Sequence, residues 1–171
     1  MPSRRESNED SGLIFIERSH LFKTLGEDDS KKLLASGRRV RFAPGDVIMR
    51  EGEEGQTFYL LKSGRVEVTT TTRVPNSSEE DGEPEATEDG VERKVVLATL
   101  SPGAFFGEVA VLTGKTRTAD VTALDDVETI QFEREVIEAL FEEYPRVREL
   151  LQAVVIGRAR DTITKLRDTI P

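Results

Sequence analysis

The sequence predicts an α+β fold that is mainly β: an antiparallel β jelly-roll barrel with N-terminal helices and two C-terminal helices. Three observations predict this fold. Between Arg39 and Phe132, short apolar segments of period two are separated by closely spaced turns. The flanking segments 13–36 and 136–170 instead repeat their apolar residues at helical spacing. The length of 171 residues suits one domain with its own hydrophobic core.

The N-terminal part divides into a polar tail and a helical segment. Residues 1–12 are polar, and we expect them to be disordered. The domain itself is predicted to span 13–171. In its first segment, Gly26 and the acidic run 27–29 mark the end of one helix and the start of another.

The central part is predicted to be β-structure throughout. Turn residues fall at 43–46, 62–65 and 101–103 and separate the apolar segments. The predicted strands lie at 40–42, 47–49, 58–61, 66–68 and 95–97, around Val121, and at 127–132.

The C-terminal part is predicted to form two helices, because Pro145 interrupts an apolar stripe that begins at Val136 and continues to Ile170. Gly157 lies inside the second helix, where glycine costs about 1 kcal/mol relative to alanine. We interpret Gly157 as either a close-packing position or a hinge.

The net charge of −9 is concentrated in one segment. The residues between Thr70 and Lys94 are rich in Glu, Gly, Pro and Ser and separate two predicted strands, so we expect a disordered insertion at about 74–92. The rest of the chain is close to neutral, so its global charge says little about partners. The acidic residues are Glu79, Glu80, Asp81, Glu83, Glu85, Glu88, Asp89 and Glu92.

Composition excludes several kinds of site. The chain has no cysteine and a single histidine, His20, which excludes disulfides, thiolate metal sites and any site that needs two histidines. A metal-binding cupin, the enzymatic alternative on a jelly roll, is excluded by the same count. No apolar run reaches 18 residues and no secretory signal is present, so we expect a cytoplasmic protein without a membrane span, metal or cofactor.

The tripeptide Gly114-Lys115-Thr116 resembles the end of an NTP-binding P-loop. A P-loop needs another glycine five positions before Gly114, and that position is Val109. The residues that follow read as β-structure rather than a long helix. The stretch is therefore not a P-loop.

The same stretch can hold a phosphate in another way. Gly107 allows a close turn into a short helix at about 108–112, whose first N–H groups lack intrahelical partners. Arg117 can hold a phosphate through two parallel hydrogen bonds. Glu108 can accept hydrogen bonds from a sugar hydroxyl, beside a phosphate that carries a single charge. Together these groups fit a small nucleotide with one anionic phosphate.

The run Phe106-Gly107-Glu108-Val109-Ala110-Val111, followed after five residues by Arg117-Thr118-Ala119-Asp120-Val121, resembles the phosphate-binding cassette of cyclic nucleotide-binding domains. These domains occur in catabolite activator proteins, in protein kinase A and G regulatory regions and in cyclic nucleotide-gated channels. The run 52–64, which reads GEEGQTFYLLKSG, resembles the family's other signature, and the likeness extends over about 19–166. Thr116 replaces a frequent proline, and Met49 stands where a branched aliphatic residue is usual.

The resemblance implies a binding site for cAMP or cGMP. Glu108 would hold the ribose 2′-hydroxyl and Arg117 the exocyclic phosphate oxygens. The resemblance favours cAMP slightly, since the Thr118 hydroxyl could bond a guanine edge but does not exclude adenine. The ligand-binding residues it implies are Gly107, Glu108, Val109, Ala110, Arg117, Thr118 and Ala119. The C-terminal helix would act as a lid through Arg158, Arg160, Ile163 and Leu166.

The resemblance and the absence of a catalytic constellation together predict a binding and sensing module, not an enzyme. The sensor would act through a protein effector or as a homodimer formed by the C-terminal helix. No helix-turn-helix follows that helix before Pro171, so we expect no nucleic-acid partner. Two alternatives stay open: a degenerate jelly-roll domain with a structural or protein-interaction role, and a regulatory fragment of a larger channel, kinase or cyclase.

Overall fold

The structure, a computed structural model, describes Ser19, residues 21–74 and residues 90–169. Its strands and helices follow the predicted order of helix, barrel and two helices. The strands are β1 Arg38–Phe42, β2 Val47–Met49, β3 Thr57–Ser63, β4 Val66–Val74, β5 Val91–Leu100, β6 Phe105–Phe106, β7 Asp120–Ala123 and β8 Val127–Glu133. The helices are α1 Glu27–Ser36, α2 Glu108–Thr113, α3 Arg134–Glu143 and α4 Pro145–Thr169.

The strands form two four-stranded sheets, ordered β1-β8-β3-β6 and β2-β7-β4-β5. Every pairing is antiparallel. A core of apolar side chains that includes Leu61, Phe106 and Val121 packs between the sheets. The predicted fold class, a mainly β jelly roll with flanking helices, is confirmed.

A second core joins the helices to the outer face of the first sheet. Phe58 and Phe132 contribute from the sheet, Phe22 from the N-terminal turn, and Val147 and Leu151 from the first turns of α4. The beginning of α4 is therefore fixed by packing. The rest of the helix lies beyond this core and across one end of the barrel.

Pro145 does not simply break the helical stripe, because it is the first residue of α4. Proline suits this position, where its missing N–H would have no helical partner. Tyr144 separates α3 from α4 and donates a hydrogen bond to Asp29 of α1. This bond raises the pKa of Tyr144 to about 12, and it ties α1 to the junction of the two C-terminal helices.

Strands β4 and β5 are longer than predicted. Residues 70–74 and 91–94, which lay outside the predicted strands and at the edges of the insertion predicted at about 74–92, continue the ladder until Val74 pairs with Val91. β-branched threonines favour this extension, and Glu51 supports it by accepting hydrogen bonds from the Thr70 hydroxyl (2.9 Å) and the Thr71 N–H (3.1 Å). The insertion therefore begins after Val74 and ends before residue 90. Residues 75–89, like residues 1–12, lie outside the described residues, and their disorder stays a prediction.

Gly157 is not a close-packing position. A Cβ added at Gly157 would meet no atom within 4 Å, and α4 runs through this residue without a break. We expect Gly157→Ala to stabilise the helix by about 1 kcal/mol and to raise the melting temperature by about 2–4 °C. Gly45 is a matched control, because its Cβ would also meet nothing while its φ of 88° strains any other residue. Gly45→Ala should lower the melting temperature, and a fall for Gly157→Ala would contradict the prediction.

Of the helices in the described ranges, none combines the length and the apolar character needed to cross a bilayer.

Candidate functional site

The predicted phosphate-binding turn forms between β6 and α2. Gly107 adopts a left-handed conformation with φ 79°, and α2 begins directly after it at Glu108. A Cβ at Gly107 would lie 2.8 Å from Arg117 Nη1 and 2.8 Å from the Thr57 carbonyl oxygen. Glycine is therefore required twice here, by the backbone conformation and by the close approach of Arg117.

Arg117 is buried against the end of the barrel, with 6% of its surface exposed. Its Nη1 donates to the Gly107 carbonyl and its Nη2 to the Thr57 carbonyl, each at 3.0 Å. Its guanidinium also lies over the Tyr59 ring, 5.7 Å from the centroid. These contacts hold the guanidinium in one position before any anion is present.

The electrostatics of Arg117 favour an anion beside it. Burial lowers the pKa of the guanidinium, whereas Tyr59, Glu108 and Glu53 raise it. The two carbonyl contacts use two of the five N–H groups of the guanidinium, so three remain for another acceptor. A buried cation with unused donors binds an anionic oxygen more strongly than an exposed one does.

The loop at 52–55 positions Arg117 from the other side. Arg117 N–H donates to the Glu53 carbonyl at 2.8 Å, and the Gly52 N–H donates to the Arg117 carbonyl at 2.9 Å. Gly55 lies against the guanidinium itself, since an added Cβ would sit 2.0 Å from Arg117 Nε. Gly55 and Thr57 were absent from the predicted site, although both belong to the run GEEGQTFYLLKSG that indicated the family.

Glu108 is the second buried charge of the site, with 4% of its surface exposed. Its carboxylate accepts a hydrogen bond from Arg158 Nη1 of α4 at 2.7 Å. Arg158 also lies over the Phe105 ring, 4.8 Å from the centroid. The resemblance implied that Arg158 belongs to the lid, and the structure places its guanidinium on the Glu108 carboxylate. The ion pair gives a direct link between the site and the C-terminal helix.

A cavity of about 420 Å³ lies between the cassette, β4, β5 and α4. All seven predicted ligand-binding residues line it: Gly107, Glu108, Val109, Ala110, Arg117, Thr118 and Ala119. Of the predicted lid residues, Arg158 and Ile163 line it, whereas Arg160 and Leu166 are not among its lining residues. Arg160 points away because it lies on the exposed side of α4.

The rest of the cavity wall is mainly apolar. Met49, Val68, Leu97, Leu100 and Val121 line it from the strands. These residues were not predicted to belong to the site, because period-two alternation predicts an inward side chain without saying whether it meets a core or a cavity. The cavity therefore has a charged end at Arg117 and Glu108 and an apolar wall.

Helix α4 closes one side of the cavity. Val155 and Thr162 line it, and Lys165 donates a hydrogen bond to the Leu97 carbonyl of β5. Two polar contacts, from Arg158 and Lys165, thus hold this part of α4 against the barrel. Within the described ranges, no three acidic or histidine side chains gather where they could hold a metal ion.

We expect Gly55→Ala to weaken binding of an anionic ligand at least about tenfold, because the new methyl group must displace the Arg117 guanidinium, whose charge-assisted bonds contribute about 1.5–3 kcal/mol each. Gly26→Ala is the control, since the nearest atom to its added Cβ is 4.0 Å away. Calorimetric titration of both variants measures the effect. Equal affinities for the two variants would show that the position of Arg117 does not matter.

Comparison with known proteins identifies the family. The family described as "Cyclic nucleotide-binding domain" matches residues 39–144. The chain belongs to this family. It is 29% identical to human cGMP-dependent protein kinase 2 over 148 residues, which cover 86% of this chain and 17% of the kinase. It is 30% identical to the Cyclic AMP receptor protein of Thermus thermophilus over 151 residues, 88% of this chain and 62% of that protein.

A solved structure agrees with this assignment. The regulatory domain of Toxoplasma gondii PKA, crystallised with cAMP, matches with a TM-score of 0.61 and 25% identity over 78% of this chain and 44% of that chain. The chain thus spans less than two thirds of the length of each of these relatives. The predicted family, the fold class and the class of function, a cyclic nucleotide-binding regulatory module, are confirmed.

Proposed function

We propose that the chain binds a cyclic nucleotide, with preference for cAMP, and passes the binding signal on through α4. One observation carries this proposal: a buried arginine and a buried glutamate lie together at one end of a cavity whose strand wall is mainly apolar. Each charge would be unfavourable there without a partner. A ligand with an anion, a hydroxyl and an apolar ring system matches all three parts.

The phosphate is assigned to Arg117. Its guanidinium is already fixed by the Gly107 and Thr57 carbonyls, so little rotational freedom is lost when a phosphate binds. A cyclic phosphate carries one negative charge, which the single guanidinium neutralises. A phosphate with more charge would be repelled by Glu108.

The ribose is assigned to Glu108 and the purine to the apolar wall. A carboxylate has about four acceptor positions, so Glu108 can keep its bond to Arg158 while it accepts a hydrogen bond from the 2′-hydroxyl. The volume of about 420 Å³ falls within the roughly 300–1,000 Å³ of small-molecule sites. Thr118 lines the cavity with an exposed side chain and is the candidate for contact with the base.

Helix α4 is proposed as the lid. Linkage requires that a helix ordered by the ligand also tighten binding by the same factor. We expect a chain truncated after Ile156, which lacks both Arg158 and Lys165, to bind cAMP about 5- to 100-fold more weakly, the range for a coupling of about 1–3 kcal/mol. A chain ending at Thr169 is the control and should bind like the full chain. If the chain truncated after Ile156 bound cAMP with unchanged affinity, α4 would not be the lid.

Calorimetry with cAMP, cGMP and 5′-AMP tests the proposed function. We expect cAMP to bind with at least micromolar affinity, about −8 kcal/mol, and 5′-AMP to bind at least about tenfold more weakly because its second phosphate charge faces Glu108. No heat with either cyclic nucleotide would favour the degenerate jelly-roll alternative. The buried charge of Arg117 supports binding, since Glu108 is paired with Arg158 whereas the guanidinium of Arg117 contacts neutral carbonyls and the Tyr59 ring.

Membership of the family also bears on catalysis, on the status of the nucleotide and on the partner of the chain. Its regulatory character supports a binding module without catalysis, so the nucleotide is a ligand and not a cofactor. An effector protein or a second copy would receive the signal at α4. The same module in a larger channel, kinase or cyclase would use the same site.

A further inference from the structure

The outer face of α4 carries an exposed stripe that the nucleotide site does not explain. Ile156, Arg160, Ile163 and Arg167 follow one another at spacings of four, three and four residues, which places them on one side of the helix. Isoleucine and arginine alternate along this line. We call these four residues the Ile/Arg stripe.

The stripe is open to solvent. Ile156 and Ile163 are 55% and 59% exposed, more than any other large apolar side chain in the described ranges. Ile163 touches the rim of the cavity, yet more than half of its surface stays free. Arg160 and Arg167 are also exposed, and neither forms an ion pair with another described residue. The stripe thus presents apolar surface and unpaired positive charge in a chain whose net charge is −9.

A second copy of the chain fits this surface poorly. In a parallel helix pair, Arg160 would face Arg160 of the other copy and Arg167 would face its equivalent, which is repulsive. In an antiparallel pair centred on the stripe, each arginine would instead cover an isoleucine and lose solvent without gaining a carboxylate. The stripe therefore favours a different partner over self-association.

A membrane surface is also a poor fit. Two isoleucines give a small apolar face, and interfacial helices depend on larger ones that include Trp, Phe or Leu. The net charge of −9 would also repel an anionic bilayer. A helix with acidic and apolar residues in alternation satisfies both components of the stripe.

We propose that the Ile/Arg stripe binds an amphipathic helix of a partner protein that places carboxylates opposite Arg160 and Arg167 and apolar side chains opposite Ile156 and Ile163. Its contacts are a helix-to-helix seam with two charge-assisted pairs. Arg117, Glu108 and Arg158 lie outside the stripe, and of its four residues Ile163 alone lines the cavity. The inference therefore does not depend on nucleotide binding.

The test uses two designed helical peptides of roughly three heptads, both with leucine facing the isoleucines. One peptide carries glutamate opposite the arginines, and the other carries lysine. Fluorescence anisotropy with the full chain should show the glutamate peptide binding at least about tenfold more tightly. The variant Arg160→Glu/Arg167→Glu should reverse this preference, and Ile156→Ser/Ile163→Ser should weaken both peptides. The melting temperature of each variant checks that it is folded.

Four results would overturn the proposal. The first is equal binding of both peptides by the wild-type chain or by the charge-reversed variant. The second is a dimer in sedimentation that Ile156→Ser/Ile163→Ser abolishes, which would identify a second copy as the occupant. The third is tighter binding to phosphatidylserine vesicles than to the glutamate peptide. The fourth is peptide binding only after deletion of residues 75–89, which would make the chain's own acidic segment the occupant.

Discussion

Replacement of Arg117 by alanine is expected to weaken cAMP binding by two or more orders of magnitude. Among the residues that line the cavity, Arg117 is the cation without a carboxylate partner, since Arg158 is paired with Glu108. Two charge-assisted hydrogen bonds to a phosphate contribute about 1.5–3 kcal/mol each. Their loss corresponds to at least about a hundredfold in affinity. Calorimetric titration of the Arg117→Ala variant with cAMP measures this loss of affinity.

Arg117→Ala is also expected to lower stability, because the carbonyls of Gly107 and Thr57 lose their donor. An unsatisfied buried acceptor costs about 1–3 kcal/mol, so the titration must be run well below the melting temperature of the variant. Arg41→Ala is the matched control, because it removes the same charge from an exposed ion pair with Glu128. If folded Arg117→Ala bound cAMP within about threefold of this control, the phosphate would lie elsewhere.

Glu108→Gln is expected to weaken cAMP binding about 10- to 100-fold. The substitution keeps the shape of the side chain but replaces a charge-assisted bond to the ribose hydroxyl, which contributes about 1.5–3 kcal/mol, by a neutral bond of about 0.5–1.5 kcal/mol. It also weakens the contact between Arg158 and the site. The comparison ligand is 2′-deoxy-cAMP, which lacks the hydroxyl assigned to Glu108.

The four combinations of protein and ligand form a double-mutant cycle. Wild-type protein should lose affinity for the deoxy ligand, and Glu108→Gln, whose amide oxygen still accepts a hydrogen bond, should lose less. Any effect through Arg158 is the same for both ligands and cancels in the cycle. Glu138→Gln, which alters an exposed pair with Arg134, serves as the control. If the losses of affinity caused by Glu108→Gln and by removal of the 2′-hydroxyl were additive, Glu108 would not contact the ribose.

The sequence was sufficient to predict the fold class and the residues of the cassette. Turn residues and period-two alternation are local signals, and they placed β3, β8 and the short helix α2 close to their observed positions. The seven predicted ligand-binding residues fall in two short runs, 107–110 and 117–119, so a single motif predicted all of them. The structure brings them to one cavity.

Contacts between distant parts of the chain could not be predicted in the same way. The position of the Arg117 guanidinium depends on contacts with Gly55 and Thr57, which are about 60 residues away in the sequence. Only the folded barrel brings their backbones to the guanidinium. The length of β4 and β5 depends on cross-strand pairing and on Glu51, which propensity does not report. The position of Arg158 on Glu108 likewise requires the path of α4 across the cavity.

A crystal structure of the protein with cAMP would test most directly whether Arg117 and Glu108 hold the nucleotide. We predict a phosphate oxygen about 2.7–3.1 Å from the Arg117 guanidinium nitrogens, with the ribose 2′-hydroxyl at hydrogen-bonding distance from the Glu108 carboxylate. The purine should lie against the apolar wall beneath α4. A nucleotide bound with its phosphate away from Arg117, or a cavity that stays empty at saturating cAMP, would contradict this prediction.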